Sequence, residues 1–102
     1  METYEITIAG MTRQLPIIHV KEDLQIASFV LLGDTEMATA AAKLLSKKLP
    51  NVDLLVTAEA KGIPLVHELA KQLNMPRYIV ARKSVKAYMQ QPFISEVTSM
   101  TT

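Results

Sequence analysis

Lys61 and Gly62 stand between an apolar run, Val52 to Val56, and a helical pattern that opens at Pro64. A lysine and a glycine at a strand-to-helix corner can hold an anion. The helix start offers backbone N–H groups and the positive end of a dipole, and the lysine adds a full charge. Glycine permits backbone angles and a close approach that other residues resist. Such a loop lies at the carboxyl edge of a parallel sheet, where open α/β folds bind ligands. The chemistry is that of a phosphate or pyrophosphate cradle, although ordinary βα turns also contain Gly and Lys without a ligand. Arg82, Lys83 and Lys86 follow a second short apolar run, Tyr78 to Ala81. If the two runs pair in parallel, Arg82 and Lys83 emerge at the same edge as Lys61. The competing reading of these cations is a solvated basic loop.

Elements must place these residues. Val52 to Val56 reads as a strand buried on both faces of a parallel sheet. Leu65, Val66, Leu69, Ala70 and Leu73 then recur at helical spacing, with Pro64 in the first turn and Asn74 and Pro76 at the end. Tyr78 to Ala81 supplies a second strand. Strand, helix and strand take roughly thirty residues, the size of one right-handed βαβ unit.

Upstream, Asp34 or Thr35 can cap a helix whose apolar stripe is Met37, Ala41, Leu44, Leu45 and Leu49, and Pro50 stops it. Tyr4 to Ile8 alternates as a half-exposed strand, Ala9 to Thr12 is expected to turn, and Leu15, Ile17 and Ile18 return. Pro16 is expected to confine that returning strand to an edge. Lys21 to Asp23 reads as loop, and Leu24 to Leu32 as a further apolar passage ending in a Gly33-Asp34-Thr35 turn. After Ala81 periodicity is lost, and Phe93 to Thr102 has strand propensity with alternating polar residues.

The totals narrow the classes. A chain of 102 residues is one domain at most. With 11 basic and 10 acidic residues the net charge is +1, so no bulk field points to nucleic acid. The absence of cysteine excludes disulfides, thiolate metal sites and cysteine nucleophiles. The N-terminus lacks the regions of a signal peptide, and no apolar run approaches the roughly 18 residues of a membrane span. A soluble, cytoplasmic protein without membrane or nucleic-acid partners is expected. Two parallel strands do not make a stable sheet alone. The chain is therefore expected either to assemble with another copy or to form the first part of a larger α/β domain, and the second is preferred.

Thr57-Ala58-Glu59-Ala60-Lys61-Gly62-Ile63-Pro64 resembles the pyrophosphate loop of the type I phosphoribosyltransferases, nearest to the adenine and xanthine enzymes and the related purine repressors. Tyr78 to Ser84 is similar to the strand before that family's flexible catalytic loop, and Lys86 to Met89 with Ser95 to Thr102 resembles the loop itself. Leu24 to Phe29 looks like the segment that lines the purine pocket.

The resemblance implies an α/β fold, the N-terminal part of a type I phosphoribosyltransferase. Residues 1–33 would be a hairpin and hood, 34–82 a helix plus the βαβ unit, and 83–102 a flexible, β-rich catalytic loop. The implied reaction moves 5-phosphoribosyl from phosphoribosyl pyrophosphate to a purine, adenine first, with release of pyrophosphate, as in purine salvage. Glu59, Ala60, Lys61 and Gly62 would form the pyrophosphate loop. Arg82, Lys83, Lys86 and Tyr88 would act from the catalytic loop, and Leu24 and Phe29 would meet the base. The Glu59–Ala60 peptide is expected in the cis form. Mg2+ would bind through the substrate, with no protein ligand assigned; His19 and His67 have no second ligand at useful spacing, and His67 is expected on the surface of its helix. A homodimer is expected.

The family's signature, a strand with two acidic residues and a Thr-Gly phosphate loop, has no counterpart in these 102 residues. The chain by itself is therefore expected to be inactive. Two alternatives stand beside the enzyme: a purine-responsive regulator built on the same fold, and an interaction module whose corner resembles a phosphate site by accident.

Overall fold

Alternating residues build the first strand, β1 (Thr3–Ile8), in the computed structural model, which describes residues 2–96. Ala9 and Gly10 both have positive φ, 55° and 77°, the geometry of a type I′ hairpin turn. The turn is tighter than the expected Ala9–Thr12, because Met11 and Thr12 already pair in β2 (Met11–Lys21). A second two-residue turn, Glu22–Asp23, leads to β3 (Leu24–Ala27), so Lys21 belongs to a strand and not to a loop.

The strand order β1-β2-β3 corrects the expectation that the returning strand is an edge. β2 changes partners at Pro16: residues 11–16 pair with β1 and 17–21 with β3, both antiparallel. Each half therefore has one free side, which is how a proline is tolerated mid-strand. The Pro16 carbonyl accepts the Ser28 N–H at 2.9 Å, and the reciprocal bond is the one proline cannot donate.

Leu31 to Asp34 makes a tight turn, with the Asp34 N–H donating to the Leu31 carbonyl at 3.0 Å and Gly33 at φ 87°. Asp34 then caps α1 (Thr35–Ser46) by accepting the Met37 N–H at 3.2 Å. The buried face of α1 is Met37, Ala38 and Ala42. Leu44, expected in the stripe, is 41% exposed, so the face is rotated toward the alanines. Small residues let α1 pack closely on α2 (Ile63–Gln72), whose Leu69 and Ala70 are buried, as the expected stripe requires. α2 ends in a Schellman motif: Met75 N–H donates to the Ala70 carbonyl at 2.8 Å, Asn74 N–H to Lys71, and Asn74 takes φ 55°.

β4 (Val56–Ala58) and β5 (Ile79–Ala81) pair in parallel on either side of α2, which makes the βαβ unit. The strand is shorter and later than the expected Val52–Val56, and it is not covered on both faces. Leu54, Val56 and Ile79 are 48%, 59% and 49% exposed. With β5 as its one paired neighbour among the described residues and only α2 packed against it, the apolar run lacks the burial that would extend it as sheet. Residues 83–96 contain no strand, contrary to the β-rich loop expected there, and residues 97–102 of that loop lie outside the described part.

The described residues thus form a mixed α/β structure of two small sheets and two helices. Its core is Leu15, Leu31, Met37, Ala38, Ala42, Leu69 and Ala70. No helix among the described residues is long and apolar enough to cross a membrane.

Candidate anion site at the β4–α2 corner

Parallel pairing of β4 with β5 brings two loops to one sheet edge. Ala58 lies beside Ala81, and the Glu59 N–H donates to the Ala81 carbonyl at 3.0 Å, one rung beyond the strands. The residues that follow, Glu59 to Gly62 from one strand and Arg82 to Lys86 from the other, therefore start from adjacent points. The Glu59–Ala60 peptide is cis. Among the described residues the N–H groups of Ala60, Lys61 and Gly62 have no hydrogen-bond partner. Ile63 N–H turns back to the Ala60 carbonyl at 3.2 Å and starts the helix.

Gly62 caps α2 with φ −81°, so its value is not conformational freedom of the left-handed kind. It is space. A Cβ at this position would run into Thr57 Oγ1, whose hydroxyl donates to the Ala58 carbonyl at 3.1 Å. The corner is tight because a threonine side chain fills the room a side chain would need.

The charged groups meet in a way the spacing did not reveal. Glu59 Oε1 accepts from Arg82 Nε at 3.2 Å and from the Lys83 N–H. Arg82 Nη1 donates to the Tyr88 hydroxyl at 2.5 Å, which extends the chain of contacts into the following segment. Lys86 Nζ donates to Ser84 Oγ at 2.8 Å. The Lys83 N–H, together with Arg82 and the nearby charge of Lys86, holds the Glu59 carboxyl below the usual carboxylate range against the opposing effect of burial. Glu59, Arg82, Lys83, Lys86 and Tyr88 thus form one neighbourhood, and Lys61 is exposed on the loop beside it.

The expected base contacts fall elsewhere. Leu24 begins β3, half-buried, and Phe29 lies just beyond its end and exposed. A cavity of about 260 Å³ opens between the starts of the two helices, lined by Leu31, Ala38, Ile63, Pro64 and His67 among others. Neither Leu24 nor Phe29 lines it. His67 is exposed, as expected, and its Nδ1 sits 3.2 Å from the Tyr78 hydroxyl with the rings edge to face. Arg13 was not singled out by sequence, yet it grips the helix cap with two bonds to Asp34, at 2.8 and 3.1 Å. A lone arginine in an alternating strand carries no signal of that partner.

The chain matches no protein-family model and no curated protein. What the corner can do therefore rests on its own geometry: free N–H groups on one loop, cations on the other, and a carboxylate between them.

Proposed function

We propose that this chain carries the pyrophosphate-holding side of a purine phosphoribosyltransferase of type I, with adenine as the preferred base. The reading is supported by one observation above the rest. The β4–α2 loop, with its three unpartnered N–H groups, lies at the same sheet edge as Arg82, Lys83 and Lys86. In the reaction, the bond from ribose C1 to pyrophosphate breaks as a purine nitrogen bonds to C1. The transition state resembles an oxocarbenium ion, and the protein's task is to position the reactants and stabilise charge on the departing pyrophosphate. Backbone amides of Ala60 to Gly62 and the Lys61 ammonium suit one end of that group. Arg82, Lys83 and Lys86 suit the other, with Tyr88 helping to exclude water.

In this reading Mg2+ would bind through the substrate, with no protein ligand, and would offset charge on the departing pyrophosphate. The residues fit that form, since Glu59, the carboxylate at the edge, is already turned toward Arg82 and Lys83. The residues that would hold ribose 5′-phosphate are not among the 102, so the chain alone is proposed to lack transferase activity; nucleotide formed from adenine and phosphoribosyl pyrophosphate would refute that.

Calorimetric titration with inorganic pyrophosphate tests the site directly. The full chain is expected to bind it, and Lys61→Ala to weaken binding about tenfold, the worth of one charge-assisted hydrogen bond. No binding, or binding indifferent to Lys61, would sink the proposal.

A further inference from the structure

Glu59 sits in an unexpected place for a residue of an anion site. Its backbone is fixed by the N–H bond to Ala81, and its side chain, 19% exposed, turns toward the cations that follow β5. A single oxygen, Oε1, takes both Arg82 Nε and the Lys83 N–H, from partners 23 and 24 positions away. Arg82 is held from its other side by the Tyr88 hydroxyl, so the guanidinium is oriented even though its side chain is partly exposed. The charge of Lys86 also acts on Glu59, and Lys61 and Lys83 are exposed on the two loops that meet here, an excess of positive charge that one carboxylate does not balance.

We propose that Glu59 is a positioning residue that serves as the internal counter-anion of this edge, holding Arg82 and the Lys83 N–H until a pyrophosphate group takes them. The inference rests on the anion-binding reading of the corner and adds a specificity element to it. A carboxylate and a phosphate oxygen both accept from a guanidinium and a backbone N–H. Pyrophosphate, with several charges, also gains from Lys61, Lys83 and Lys86, so it displaces Glu59. A singly charged anion meets a contact already made and gains little by replacing it. Glu59 thereby sets a lower bound on the charge of the ligand.

The test compares the full chain with Glu59→Gln. The amide oxygen can still accept both bonds, so the geometry survives while the charge is gone. Pyrophosphate is expected to bind the variant about fivefold more tightly, the scale of one partly exposed ion pair. A second readout uses the unaltered chain: the Glu59 carboxyl, followed by carbon NMR, titrates below the usual range when free and moves up toward it when pyrophosphate saturates the site. Equal or weaker binding by a folded Glu59→Gln chain overturns the inference, and so does a Glu59 titration that pyrophosphate leaves unmoved. Should the variant fail to fold, the NMR titration decides alone. Absence of pyrophosphate binding to both chains would instead remove the anion site itself, and this inference with it.

Discussion

Gly62 and Thr57 share one small space, and that makes their substitutions interdependent. Gly62→Ala forces Thr57 to rotate out of its bond to the Ala58 carbonyl or pushes the loop aside. Overpacking of this sort costs about 1–3 kcal/mol. Denaturant titration is expected to show that loss in Gly62→Ala and to recover most of it in Gly62→Ala with Thr57→Ala, a coupling that independent sites would not give. A second residue-scale expectation concerns acid. Asp34 is held below the usual carboxylate range, first by its bonds from Arg13 and then by the Met37 N–H. Glu59 is held low by the Lys83 N–H and Arg82. Groups depressed in the folded state stabilise it above their ordinary values of about 4, and that contribution is lost as pH falls through the lower folded values. The thermal midpoint, followed by circular dichroism, is expected to be flat from neutral pH to about 5 and to fall below about 4. Asp34→Asn should flatten part of that fall, and an unchanged profile would contradict the assignment.

At the scale of elements, the hairpin turn offers the clearest leverage. Ala9 at φ 55° carries a Cβ in the left-handed region, where asparagine is better tolerated and Asn-Gly is the favoured pair. Ala9→Asn is expected to stabilise the chain by about 0.5–1 kcal/mol, read as a higher urea midpoint with an unchanged slope. The turn was legible because glycine marks it. The βαβ unit was legible too: Pro64 opens its helix, Asn74 and Pro76 close it, and both flanking runs are apolar. Other parts were not. Large apolar residues define a stripe by eye, but α1 buries Ala38 and Ala42 because small side chains let α2 approach, and Leu44 is left outside. The full length of β2 was hidden by Pro16, since a strand that exchanges partners at a proline leaves no periodic trace. At the site, the cations could be read from their positions after an apolar run. Glu59 as their partner could not, because that pairing exists only once β4 and β5 lie side by side.

The whole molecule is open for its mass. Its accessible surface is 8169 Å², against about 5,700 Å² for a folded monomer of this size. The radius of gyration, 16.0 Å, likewise exceeds the roughly 13 Å of a compact domain of 100 residues. Val56 and Ile79 face each other across the parallel pair, both exposed, with Leu54 nearby. Apolar surface of this kind is stabilised by burial against another surface. Sedimentation over a concentration series is expected to show mass rising with concentration, and Val56→Lys to hold the chain monomeric; a single monomeric mass throughout would rule this out. The two-residue turns have one more consequence, in time. The hairpins join near neighbours and close on the order of microseconds. The parallel pair must match Val56 with Ile79 across the whole of α2, a closure that waits on the helix. The edge where Glu59 meets Arg82 is therefore expected to close later than either hairpin, and an anion bound there would hold that closure in place.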